Sequence, residues 1–217
     1  MKNNQSGFTL VEIAIVLVII GLLLGGVLKG QELINSAKVK NLANDFRNVP
    51  TMVFAYQDKF RALPGDDLNA VAHVGGAVNG NGNGRIDGDW NAQSATGNCG
   101  NADETCHFWQ HVRLANLAAG PNVLGSPDFF PRNSEGGVIG IAGTTPIAGW
   151  AGNFFVCSTN IQGRFARQLD ITSDDGNTST GSIRVICQGV CANAGGAAPA
   201  NLTTNEDGNL YTVCSSN

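Results

Sequence analysis

One acid stands inside a long apolar run. Phe8 to Leu28 reads FTLVEIAIVLVIIGLLLGGVL, and Glu12 is its only charge. A carboxylate at the centre of a bilayer costs on the order of 2.5–3.5 kcal/mol, and the cost falls near the interface, where a residue four positions from Phe8 lies. Two chemistries accommodate such an acid. It is tolerated at the interface, or it pairs with a cation inside an apolar assembly, because a buried charge is stable only when paired.

A second constellation is built from oxygen donors. Asn79 to Asp87 reads NGNGNGRID. It matches part of an EF-hand loop, with Asn79, Asn81 and Asn83 at positions 1, 3 and 5, Gly84 at the sharp turn, Arg85 at the main-chain carbonyl position, Ile86 at 8 and Asp87 at 9. Position 12 is Trp90 where such loops have a bidentate Glu, and Asp89 falls one residue early. Calcium binding and a plain Asn/Gly turn are both compatible with this pattern.

Cys106, His107 and His111 form a third group, with the histidines four apart and so on one helix face. Zinc there lacks a clear fourth ligand. HFWQH also lacks the acid of H-E-x-x-H, so it is not a zincin motif. There is no G-x-S-x-G, no P-loop and no catalytic pair of acids. His73 reads as a loop residue. Nothing here assembles into a catalytic site, and the chain is read as a non-enzyme.

The elements that carry these residues begin with the apolar run itself. Twenty-one residues at about 1.5 Å each span roughly 30 Å, the hydrocarbon thickness of a bilayer. Lys2 precedes the run and Lys29 follows it. The run is longer than the roughly 7–15 apolar residues of a secretory signal, and no A-x-A-like site follows it. The next residues, KGQELINSAKVK, continue as a helix-competent polar segment.

SGFTLVEIAIVLVIIGLLLG closely resembles the signal of type IV pilins and type II secretion pseudopilins. The resemblance rests on a short basic leader ending in Gly7, then Phe8, Thr9, Leu10, Val11 and Glu12, then the apolar run. It implies cleavage after Gly7 by a prepilin peptidase and N-methylation of the new terminus at Phe8. It also implies that Glu12 pairs with the terminal amine of a neighbouring subunit. The physical argument agrees, since cleavage creates the cation that a buried acid requires. The implied organisation is a leader at 1–7, a long helix over 8–62 with 8–28 in the membrane or fibre core, and a globular head over 63–217.

Beyond the membrane segment, Val39, Leu42, Phe46, Val49, Val53, Tyr56 and Phe60 recur at spacings of three and four, which predicts one buried helical stripe. Pro50 predicts a kink. Gly21, Gly25, Gly26 and Gly30 lower helix propensity in the first half. They suit either close helix packing or local melting during assembly. ALPGDD at 62–67 stops the helix. A short helix is expected from Phe108 to Leu117, ended by Gly120 and Pro121. GVIGIAG, GWAGNFFVCS, GSIRVICQ and NLYTVCSS are strand candidates, and RFARQLD a helical turn. The fold class is α+β and pilin-like, one long N-terminal helix on a small antiparallel sheet with long loops. The ALPGD turn, the FWQHVRLANLAAG helix and the LDITSDDGNTSTGSIRV stretch also resemble heads of this lineage.

The cysteines are Cys99, Cys106, Cys157, Cys187, Cys191 and Cys214. All follow the anchor, on the side that the resemblance places outside the cytoplasm, where an even count favours disulfides. Cys99 with Cys106 is expected because it closes a short loop. The pairing of Cys157, Cys187, Cys191 and Cys214 stays open.

Composition bounds the partners. About a quarter of the 217 residues are Gly (29) or Asn (24), which is turn chemistry and excludes a mainly helical bundle. Residues 63–217 hold six basic and 13 acidic side chains, a balance of 6 − 13 = −7. That argues against general nucleic-acid binding, although Arg164 and Arg167 lie close together. The expected role is a structural subunit of a type IV pilus or related filament. Its partners are identical or related subunits, the prepilin peptidase and the assembly machinery. It is expected in the bacterial inner membrane as a precursor, then in an extracellular pilus or a periplasmic pseudopilus. The alternative role is a minor pilin or type II secretion pseudopilin with a binding or calcium-dependent head. The sequence specifies no cofactor with certainty, and calcium is the ion the Asn/Gly pattern suggests.

Overall fold

The computed structural model describes residues 10–91, 103–126, 128–188 and 199–217, with 187 and 188 described by their backbone only. The chain divides into two compact units, Met1–Lys38 and Val39–Asn217. Helix α1, Leu10–Phe60, is continuous through both and through Pro50. Pro50 lacks an amide, so the Phe46 carbonyl has no i+4 donor. One residue on, the Thr51 hydroxyl donates to the Arg47 carbonyl at 2.9 Å.

In the first unit the apolar side chains of α1 face outward. Leu10 is 90% exposed and Leu22 73%. A Cβ built on Gly21, Gly25, Gly26 or Gly30 meets nothing within 4 Å. This stretch is long and apolar enough to cross a membrane.

In the second unit the expected stripe is buried at Val39, Leu42, Phe46, Val49, Val53 and Tyr56. The helix ends where Arg61 turns to φ 57°. The further helical elements are α2 (Ala70–Val74), α3 (Glu104–Leu114), α4 (Gly163–Ser173) and a 3-10 turn at Thr204–Glu206. Strands β1 (Ile139–Ala142), β2 (Phe155–Gln162), β3 (Ile183–Gln188) and β4 (Leu210–Ser216) form an antiparallel sheet in the order β1-β2-β4-β3. Three of the four strand candidates contain a strand whole, while β2 begins inside GWAGNFFVCS and runs four residues beyond it to Gln162.

Both sheet faces are covered. Val156, Ile161, Val185 and Val213 join the stripe of α1 and Phe108, Val112, Phe165 and Leu169 in the main core. Phe155, Cys157, Ile186 and Cys214 point the other way, into a smaller cluster with Trp90, Ile147 and Trp150. The period-2 alternation of a strand, reset in β2 by a bulge between Ser158 and Ile161, explains the partition. The arrangement is α+β and pilin-like, a long apolar N-terminal helix and a small antiparallel sheet.

Helix α3 departs from expectation. It starts at Glu104, four residues before Phe108, and ends at Leu114 instead of Leu117. The stop is a Schellman motif: the Leu117 amide bonds the Val112 carbonyl, the Asn116 amide bonds that of Arg113, and Asn116 adopts φ 61°. Asn, not the later Gly120, ends the helix. α2 was not anticipated, because its five residues fall in a stretch read as loop.

Candidate functional site

Glu12 lies in the first turn of α1 and is exposed in this chain. A carboxylate there complements the positive end of the helix dipole. The expectations for Gly7, Phe8, Cys99 and Cys191 lie outside the described residues, as does the Cys187 side chain.

In the head, the turn after α1 is organised by two buried acids. Asp66 accepts the amides of Asn83 at 2.9 Å and Gly84 at 2.7 Å. Asp67 accepts the Tyr56 hydroxyl at 2.7 Å and the Asn69 amide at 2.9 Å, and meets His73 Nδ1 at 2.6 Å. Burial pushes the Asp67 carboxyl up, but the hydrogen bonds from His73, Tyr56 and Asn69 outweigh it and hold it below the usual carboxylate range. The same bond and burial push the Tyr56 phenol up, burial being the larger cause. His73 is therefore a paired residue of α2, not a free loop residue.

The Asn/Gly loop wraps around these acids. Gly80 is required where it is, since a Cβ there would stand 2.4 Å from the Asp66 backbone. Asn81 Nδ2 and Asn83 Nδ2 both donate to Asp87 Oδ2, at 3.1 and 2.6 Å. Their oxygens take backbone amides: Asn81 Oδ1 that of Asn83, Asn83 Oδ1 that of Arg85. Asn79 Oδ1 caps the Val71 amide instead. The Arg85 guanidinium donates to the Gly143 carbonyl at 3.3 Å. Three of the six expected ligands, Asn81, Asn83 and Asp87, thus share one cluster.

Glu104 was not singled out from the sequence. It is 3% exposed, and its two oxygens accept the Asn81 and Asp87 amides at 2.8 and 2.9 Å. Burial raises its pKa, those amides pull it back, and the charges of Asp66 and Asp87 add to the rise. The only sequence signal was an acid at the start of a helix, which many helices show. Asp87 faces the Asn81 and Asn83 side-chain nitrogens, whereas calcium requires oxygen ligands. A cation would need the Asn81 and Asn83 amides turned over, so that oxygen replaces nitrogen beside Asp87.

The histidine pair of α3 is not a ligand pair. His111 Nδ1 accepts the Gly65 amide at 2.9 Å, and its other nitrogen donates to the Val78 carbonyl at 2.7 Å. Both nitrogens are committed to holding the loop. His107 is buried without a hydrogen bond, and burial pushes its pKa down to about 4, so it is neutral. Cys106 is disulfide-bonded.

Cys157 pairs with Cys214, directly opposed in the β2–β4 register with Cα atoms 4.0 Å apart. Of the two basic residues noted on α4, Arg167 is ion-paired with Asp207 and Arg164 lies over the Phe165 ring. Arg113 is buried, with its guanidinium donating to the carbonyls of Ala119, Pro121 and Phe129. Burial pushes its pKa down to about 10.

Residues 2–28 match the family model of the prokaryotic N-terminal methylation motif, the signal of type IV pilins and pseudopilins. The match stops at Leu28 and includes nothing of the unit that begins at Val39. No curated protein and no solved structure matches the chain.

Proposed function

We propose that this chain is a structural subunit of a type IV pilus or pseudopilus, cleaved between Gly7 and Phe8, methylated on Phe8 and assembled through α1. The observation that carries the reading is the methylation motif over residues 2–28, continued by a helix whose apolar side chains are exposed from Leu10 to Leu28. Such a surface is stable only in lipid or among other apolar helices. The precursor lies in the inner membrane. Assembly moves the helix from lipid into a helical core, where Glu12 meets the methylated amine of a neighbour. The head, stiffened by disulfides that include the Cys99–Cys106 link, forms the outer surface.

Supporting the structural role is the chemistry of the head. Three of its buried titratable groups, Asp67, Glu104 and His111, are engaged in holding backbone amides. Calcium at Asn81, Asn83 and Asp87, with Arg85 offering its carbonyl and Asn79 and Asp89 flanking, would tighten a loop the protein already folds around two acids.

Intact mass of the mature protein tests the reading. It should lack residues 1–7 and carry one added methyl group. A bulky residue in Gly7→Val should leave the full-length chain in the membrane. Met1 retained on protein recovered from filaments would overturn the proposal.

A further inference from the structure

At the C-terminal end of α4, three carboxylates converge. One oxygen each from Asp170, Asp174 and Asp175 lies within 4.8 Å of the others. Asp170 is 0% exposed, and neither of its carboxylate oxygens has a hydrogen bond. The Gly176 amide approaches it without reaching bonding geometry, and does not offset the burial. A buried acid with no donor is costly, and each such group in a folded protein calls for an explanation.

The surroundings deepen the cost. The last turn of α4 carries no basic side chain. Three acids therefore sit at the negative end of a helix dipole, where cations are favoured and carboxylates opposed. Arg184 acts on Asp175 through charge alone, while its guanidinium donates to the Gly181 carbonyl and stacks over Trp150.

The other two acids are already aimed. Asp174 Oδ1 accepts the Ser182 hydroxyl and Oδ2 the Ile183 amide, at 2.9 and 2.7 Å. Asp175 Oδ1 accepts the Asn177 amide and Oδ2 the Thr180 hydroxyl, at 2.8 and 2.7 Å. Each of these oxygens keeps a second lone pair for a metal. Burial falls from Asp170 through Asp174 to the exposed Asp175, which leaves a route from solvent.

We propose that Asp170, Asp174 and Asp175 form a cation site for calcium, with Asp170 as its buried anchor. The donors are all carboxylate oxygen, with no nitrogen or sulfur, which selects a hard ion. Calcium is favoured over magnesium because the loop offers an irregular, partly open set and not an octahedron. The bound ion supplies the partner Asp170 lacks and joins the end of α4 to the start of β3. The site is separate from the Asn79–Asp89 loop and independent of the filament reading.

Full-length protein in detergent micelles, stripped with EDTA, tests this by calorimetric titration with calcium chloride and by thermal melting. The Asp87→Ala background removes the central acid of the Asn/Gly loop. In that background one saturable calcium site should remain. At a hundredfold excess over Kd the folded-to-unfolded ratio should rise about a hundredfold. Asp170→Asn should weaken binding at least tenfold. Asp175→Asn, at an exposed position, should weaken it in the same direction and decides alone if the buried variant fails to fold. Absence of saturable binding up to about 10 mM calcium, beyond the weak extracellular range, would overturn the proposal. So would affinity unchanged in both Asp variants.

Discussion

The Tyr56 hydroxyl donates a 2.7 Å hydrogen bond to Asp67 Oδ2, and so ties the buried stripe of α1 to the turn that ends it. His73 meets the same oxygen from α2. Helix α1, the turn and α2 are thereby held through one carboxylate.

Tyr56→Phe should cost about 1–3 kcal/mol, the penalty for leaving a buried acceptor short of a donor. Asp67 is depressed below its unfolded value near 3.8. Between the two values the unfolded chain binds more protons, so stability rises with pH there. The contribution is whole above about pH 4 and is lost as pH falls through the folded value. Denaturant melts of both proteins should therefore converge below pH 4. A gap that stays constant into acid would argue against the charged hydrogen bond.

Glu12→Ala should insert in the membrane and be cleaved after Gly7, yet enter filaments poorly. In lipid the acid reaches the interface, but among packed helices its loss leaves a neighbour's amine without its anion. Glu12→Gln should be intermediate, keeping shape and a hydrogen bond but not charge. The measurement is the amount of this chain in sheared filaments, with the mutant as sole copy. Wild-type incorporation of the alanine variant would end the pairing mechanism.

Non-reducing peptide mapping should recover Cys157 joined to Cys214, and the other four cysteines then allow three pairings, of which Cys99–Cys106 is expected. The Cys157–Cys214 bridge spans 57 residues, for which the chain-entropy model gives about 4 kcal/mol. The double Cys157→Ser, Cys214→Ser variant should lose a comparable amount in a thermal melt.

For the Asn/Gly loop, calcium should raise the melting temperature in an Asp170→Asn background, and Asp87→Ala should remove that rise. Glu104→Ala should destabilise the head by about 2–4 kcal/mol with or without calcium, since two loop amides lose their acceptor. A melting curve insensitive to millimolar calcium in the Asp170→Asn background would leave the loop as a turn held by its own acids.

Features that repeat locally were legible in the chain alone. The apolar run and the three-and-four spacing from Val39 to Tyr56 depend on nearest neighbours along a helix, so local pattern reveals them. The four strands were likewise visible as short apolar runs between turn residues. Tertiary structure decided what distant residues do to each other. The Cys157–Cys214 bridge follows from the β2–β4 register, which no local pattern encodes. Asp66 and Glu104 became the frame of the Asn/Gly loop only because the turn after α1 and the start of α3 meet there. Asp170 reads in sequence as one more polar residue of a short helix. Packing took both its oxygens out of water without giving them a donor, and burial is a property of the whole fold, not of the residue.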